Sequence, residues 1–268
     1  MNASRTPEEN RAYWNQRAAE HGASYEASWP DLYAVEIERK AIIAELAGIR
    51  RNSTVLDVGC ANGHSTFCYA TQFPKSSFVG IDNCENLLQL ANARKESEGG
   101  SNLSFHLHDI RQPFERKSEV PFLYDFVLST RMLINLCSAE EQERAVLHLA
   151  QSCKDTLILQ EGVTDGLLKL NKLRSEVGLA PIEEPAHNRY LSVDSVKCHL
   201  AQLGFRGISC RDLHSTYYVI SRVLKEKLRA TPEGLAYLSS INEFASLLPN
   251  VGGYSTQRTM IFRRVEGI

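Results

Sequence analysis

The chain alternates two kinds of segment. Short, mostly apolar runs recur at 54–58, 77–82, 103–108, 124–129 and 156–161. Between them lie stretches with apolar side chains at helical spacing, over 64–70, 84–97 and 139–153. Runs this short read as buried strands, and strands that alternate with helices build a parallel sheet covered on both faces. Ahead of the first strand, residues 8–22 read as a helix anchored by Tyr13 and Trp14. A second helix covers 32–49, with Val35, Ile37, Ile42, Ile43 and Leu46 apolar, and Ser28-Trp29-Pro30-Asp31 is the turn between them.

After the fifth strand the pattern changes. Residues 165–178 are helical in spacing, with Leu167, Leu168, Leu170, Leu173 and Val177. A loop stiffened by Pro181 and Pro185 then carries His187, Asn188, Arg189 and Tyr190. A helix at 193–203 and a strand at 205–211 follow. Next comes a long segment, about 215–250, holding Tyr217, Tyr218, Arg222, Tyr237 and Asn242, and then a last strand at 256–264. The expected fold is α/β, a doubly wound seven-stranded sheet. It is preceded by an N-terminal helical segment, 1–49, covering the site. The main domain is expected over 50–268, with a cap built from insertions at about 163–192 and 215–250.

The chemistry centres on the end of the first strand, Thr54-Val55-Leu56-Asp57-Val58-Gly59-Cys60-Ala61-Asn62-Gly63. Strand, glycine loop and helix start bring a ligand close to free backbone N–H groups. The loop is not a G-x-G-x-x-G fingerprint, and His64 follows Gly63 where a P-loop needs lysine. Asp57, two residues before the first glycine, would repel a pyrophosphate and favour a cationic ligand. The pattern D-x-G-x-x-x-G resembles motif I of the class I S-adenosylmethionine (SAM) methyltransferases, whose fold is Rossmann-like.

The resemblance implies SAM as cofactor and a set of residues around it. The loop residues Asp57, Gly59, Cys60, Ala61 and Gly63 come first. Asp82, at the end of strand 2 with Asn83 after it, would bond the ribose hydroxyls; its alternative is a cap for the following helix. Asp109 would lie beside the adenine amino group, with the Ile110 N–H on the ring. Ser129, at the end of strand 4, would lie under the transferred methyl. Tyr13, in a Tyr-Trp segment like that of many small-molecule methyltransferases, would help cover the cofactor or else anchor its helix in the core.

For the acceptor, the polar groups at the same sheet rim are the candidates. Arg131 would hold an anionic group or pair with an acid such as Glu161. Glu161, Arg174, Asn188 and Tyr190 are the other substrate-binding candidates. His187 is the candidate general base, since imidazole titrates near neutral pH; its alternative is a structural turn residue. The segment 170–191 resembles methyltransferases of bacterial surface-glycan clusters. That favours methylation of an oxygen on a small sugar-like or anionic acceptor. The alternatives are N-methylation of a small amine or amino-sugar, and a non-catalytic SAM-binding regulatory protein.

Composition narrows the partners. Over 268 residues the formal net charge is −2, which provides no basic field for nucleic acid. No apolar run reaches membrane-spanning length, and the first residues lack the apolar core of a secretory signal. Seven cysteines without a Cys-x-x-Cys pair read as reduced, buried thiols of a cytoplasmic protein. His106 and His108 alternate to one face of a strand with no third ligand nearby, so no metal is expected. The expected assembly is a monomer or homodimer.

Overall fold

The structure, a computed structural model, describes residues 6–49, 52–114, 122–228 and 237–265. Seven strands form one sheet in the order β3-β2-β1-β4-β5-β7-β6. They are β1 (Thr54–Val58), β2 (Ser77–Asp82), β3 (Leu103–Leu107), β4 (Tyr124–Thr130), β5 (Cys153–Gly162), β6 (Phe205–Asp212) and β7 (Gln257–Arg264). The first five are parallel, and β7 runs antiparallel between β5 and β6. β5 starts three residues earlier than its apolar run, because Cys153 already pairs with Tyr124.

Helices cover the sheet. They are α1 (Pro7–His21), α2 (Leu32–Leu46), α3 (His64–Gln72), α4 (Glu85–Glu98), α5 (Ala139–Ser152), α6 (Thr164–Glu176) and α7 (Val193–Gln202). Local signals set their starts. Thr6 caps α1 reciprocally with Glu9, and Pro7 opens it. Asp31 caps α2 by accepting the Ala34 N–H, and Ser138 caps α5 by accepting that of Glu141. The buried strand side chains pack on α5 and α7 on one face, as with Leu157, Leu159, Val146 and Leu200. On the other face Val55, Phe78 and Ile158 pack with Ile42, Leu46 and Leu88.

The second insertion holds α8 (Ser215–Val219), a π-helical turn (Ile220–Leu224), α9 (Lys225–Lys227) and α10 (Ser240–Leu247). Its residues 229–236 lie outside the described ones, as do residues 1–5 and Arg50, Arg51 of the expected domain divisions. The first insertion, α6 and the loop after it, returns to the sheet where Leu191 bridges Val163. Strand order reverses between β1 and β4. Loops from those two strands leave in opposite directions, which opens a crevice at the strands' C-terminal ends.

Candidate functional site

The crevice is shaped by the loop after β1. Gly59 has φ +77°, and a Cβ placed there would sit 2.5 Å from Met132 Cγ. The Gly59 and Cys60 N–H groups both donate to the Ile81 carbonyl, at 2.8 and 3.0 Å, which ties the loop to β2. Ala61 is left-handed at φ +50°, and its N–H donates to Asp82 Oδ2 at 2.9 Å. Asp82 Oδ1 accepts from Cys84 N at 2.9 Å. One carboxylate therefore holds the glycine loop and the entry to α4 together. Burial pushes its pKa up from the ordinary value, against the pull of these backbone bonds.

A cavity of about 880 Å³ opens over this loop. Gly59, Ala61, Asp82, Asn83, Asp109 and Ile110, all expected to bind the cofactor, stand on its wall. Asp109 is pinned by Arg111, with Nη2 at 2.5 Å and Nε at 2.9 Å, and Arg111 reaches on to Glu141 at 3.4 Å. Burial works to raise the pKa of Asp109, but the Arg111 hydrogen bonds win and hold it below the ordinary value. Helix α1 closes the cavity with Asn10, Arg11 and Trp14.

Five expected cofactor residues, Ser129 among them, stand off this wall. Asp57 is buried behind the loop, where its Oδ2 accepts the Thr66 hydroxyl at 2.6 Å, and burial lifts its pKa to about 6. It ties the glycine loop to the first turn of α3. Cys60 is buried, with its sulfur against Gly80 of β2. Gly63 caps α3 at φ +70°, and a Cβ there would lie 2.5 Å from the Phe105 ring. Its requirement for glycine is one of packing and conformation. Tyr13 lies on the wall of a second cavity, one side chain away from Trp14.

Ser129 and Glu161 also turn inward. The Ser129 hydroxyl donates to Glu161 Oε1 at 2.7 Å. Glu161 is fully buried and also accepts the N–H groups of Met132, Leu133 and Ile134, at 3.2, 3.1 and 3.3 Å. Burial raises its pKa to about 7, opposed by these bonds. The pair therefore fixes the turn after β4, and neither residue lines the first cavity. That turn aims Arg131, which is held at φ +53°. Arg131 Nε donates to Glu38 Oε2 at 3.0 Å, so its acid is Glu38 and not Glu161. Its guanidinium lies 4.6 Å from the centre of the Trp29 ring.

The second cavity, about 1070 Å³, adjoins the first. Trp14, Ser28, Arg131 and Asn135 belong to both walls. The second wall also carries His187, Asn188 and Tyr190, together with Arg17, Trp29 and Arg222. The His187 ring stacks on Tyr13. Asn188 N donates to the Pro185 carbonyl at 2.8 Å, and Tyr190 N donates to Glu184. The Tyr190 ring packs against Gly162, where a Cβ would come within 2.9 Å. Arg174, expected to bind substrate, is buried away from both cavities. It donates to the Ala180 carbonyl at 2.8 Å, to the Arg222 carbonyl and to Glu226 at 2.8 Å. It joins α6 to the cap.

Sequence reasoning gave no role to Asn10, Asn135, Trp29 or Arg222. A lone asparagine or arginine, in the polar stretch around Asn10 or the apolar ones around Asn135 and Arg222, follows no motif. Only Trp29, an aromatic in a turn next to proline, stood out. No group of three or more His, Cys, Asp or Glu residues with metal-binding geometry exists among the described residues. No described helix is long and apolar enough to cross a membrane.

The first cavity suits SAM. Its wall includes a left-handed glycine whose Cβ would collide with Met132, another residue of the same wall. Asp82 and Ile110 stand on its wall together with Asp109. The amide oxygens of Asn10 and Asn135, both on this wall, are buried without a partner. They await a donor such as an ammonium group.

Residues 49–177 match the family model of a methyltransferase domain. A stretch of 45 residues, 17% of this chain, is 44% identical to trans-aconitate 2-methyltransferase of Acidovorax sp. (strain JS42), of which it spans only 17%. Among solved structures, magnesium protoporphyrin IX methyltransferase of Synechocystis PCC 6803 with bound S-adenosylhomocysteine (SAH) superposes with a TM-score of 0.60 at 16% identity, over 95% of this chain and 94% of that one. The complex of the Haloferax volcanii Trm112 activator with a methyltransferase gives a TM-score of 0.64 at 12% identity, over 96% and 98%. At these identities the likeness to solved structures is one of fold.

Proposed function

We propose that this chain, whose residues 49–177 match a methyltransferase domain, is a SAM-dependent methyltransferase that methylates an oxygen of a small anionic acceptor held in the second cavity. The observation that carries this reading is the shared wall. Arg131 and Asn135 stand where the two cavities meet, so a methyl presented from the first cavity faces a ligand anchored by a guanidinium in the second.

SAM supplies a methyl already activated on a sulfonium. The residues of the chain then have two tasks, alignment and proton management. Asp82 and the Gly59 loop hold the cofactor end. Arg131 holds an anionic group of the acceptor in bidentate fashion. The acceptor oxygen forms the new bond to carbon as the carbon–sulfur bond breaks, and the electron pair stays on sulfur. A carboxylate acceptor loses its charge and releases no proton. A hydroxyl acceptor must lose one, and His187 is the imidazole on the acceptor wall that takes it. The curated relative named for trans-aconitate, itself an anionic acid, agrees with this class of acceptor.

The test is transfer of labelled methyl from SAM to a panel of small carboxylates, hydroxy acids, sugar phosphates and amines. Ester or ether products on an anionic acceptor support the reading. Transfer confined to amines overturns it in favour of N-methylation. SAM binding without transfer to any acceptor leaves a regulatory protein.

A further inference from the structure

The second cavity holds two guanidinium groups mounted in the same way. Arg131 bonds the buried Glu38, whose side chain is 3% exposed, and its own side chain is 16% exposed. Arg222 Nη2 bonds Asp31 Oδ2 at 2.5 Å, and these side chains are 17% and 0% exposed. Each acid is thus sealed behind its arginine. Asp31 is further committed to the Tyr217 hydroxyl at 2.6 Å and the Ala34 N–H at 3.2 Å. A guanidinium has five N–H donors, and each of these gives only one to its acid. The rest remain for a ligand.

Aromatic rings hold both groups in place. Arg131 lies on Trp29, while Arg222 lies 5.3 Å from the centre of Tyr218 and 4.9 Å from that of Tyr237. Arg222 sits in the π-helical turn Ile220–Leu224, a rare geometry often found at functional sites. The anchors are close together. Trp29 carries one arginine and Asp31 the other, two residues along the chain, and both arginines line the one cavity. Both arginines can therefore serve one small ligand. Arg17, a third arginine on this wall, donates to the Glu26 and Ala27 carbonyls. The wall carries one carboxylate among the described residues, Glu183, and it is exposed.

We infer that the acceptor is a compact dianion with two oxyanion groups, carboxylate or phosphate. One group is held by Arg131 beside the cofactor cavity and the other by Arg222 under the cap. The inference rests on the acceptor-cavity reading above and adds the second charge. Arg222 is then the specificity-determining residue that separates di-anionic from mono-anionic acceptors.

The experiment is calorimetric titration of the whole protein, with and without saturating SAH. The probes are succinate, glutarate and adipate, 3-phosphoglycerate as a mixed phosphate–carboxylate, and butyrate as the single-charge control. The expected result is one di-anion binding at least about 10-fold more tightly than butyrate. Arg222→Gln should cut that preference by about 10-fold or more, with SAH and butyrate affinities unchanged. Arg222→Lys keeps a cation against Asp31 and so guards against a folding defect. It should retain the fold and part of the preference. The phosphate arm identifies which oxyanion the cap end prefers. Equal binding of butyrate and every di-anion, or a preference that survives in both variants, overturns the inference. Loss of SAH binding instead counts against the cofactor reading, and the titrations without SAH still decide the present one.

Discussion

The ring of His187 lies 4.5 Å from that of Tyr13, at 22° from parallel, and Trp14 meets the same imidazole edge-on at 6.1 Å. The loop after α6 is thereby fastened to α1, the helix that also closes the first cavity. Tyr13 touches only the acceptor side, while Trp14 stands on both walls. A stacked aromatic pair is worth about 1 kcal/mol. Tyr13→Ala should therefore raise the acceptor KM about fivefold and leave SAH affinity unchanged. Trp14→Ala should weaken both. Steady-state kinetics beside SAH titration will tell the two apart.

The two glycines of the loop should fail differently. SAM and SAH should bind the parent at about −8 kcal/mol, a low-micromolar affinity. Gly59→Val must displace Met132 from the cavity wall and abandon a left-handed backbone. It should abolish SAH binding in calorimetry while the far-ultraviolet circular dichroism stays that of the parent. Gly63→Ala strikes the Phe105 ring inside the core. It should cost about 1–3 kcal/mol of stability in denaturant melts, with SAH affinity of the folded protein little changed.

Asp82 holds two backbone N–H groups, one from the glycine loop and one from the entry to α4. Asp82→Ala should lower SAH affinity by about 1–3 kcal/mol, through the lost ribose contact and the loosened loop together. An Asp82→Ala protein that binds SAH like the parent would remove this carboxylate from the cofactor site.

The acceptor oxygen decides what His187 does. For a hydroxyl acceptor, His187→Ala should slow turnover by about 10²–10⁴-fold, with SAH affinity intact and partial recovery at high pH. For a carboxylate acceptor the same variant should turn over nearly as fast as the parent. The pH–rate profile on each acceptor class is the measurement. Equal rates on hydroxyl acceptors would reduce His187 to the stacking partner of Tyr13.

Stability should fall as pH rises through the range where Glu161 ionises. Its pKa is raised by burial from the ordinary 4.5 to about 7. Between those values the folded protein binds more protons than the unfolded chain, so stability decreases with rising pH. The difference amounts to about 3 kcal/mol between pH 4 and pH 8 for this group alone. Glu161→Gln removes the titration but also replaces an acceptor oxygen with a donor. The variant should be less stable than the parent at pH 5, and the gap should narrow by pH 8. Parallel thermal melts at the two pH values will show whether it does.

The strand runs and the glycine loop were legible in the sequence because both are local. A buried parallel strand must be apolar throughout, and residues at a strand's end must stand at the sheet's rim. Gly59, Ala61, Asp82, Asn83, Asp109 and Ile110 therefore reach one cavity wall by position alone. Spacing placed Asp57, Ser129 and Glu161 at the same rim, but only packing decided which way they face. A carboxylate taken out of water needs donors, and those of Glu161 come from Ser129, 32 residues earlier, and from the turn after β4. Arg131 and Glu38 are 93 residues apart, Arg222 and Asp31 191. Such pairs follow no period along the chain. They are set by the folded core, which seals the two acids away from water and leaves their arginines on the wall of the second cavity.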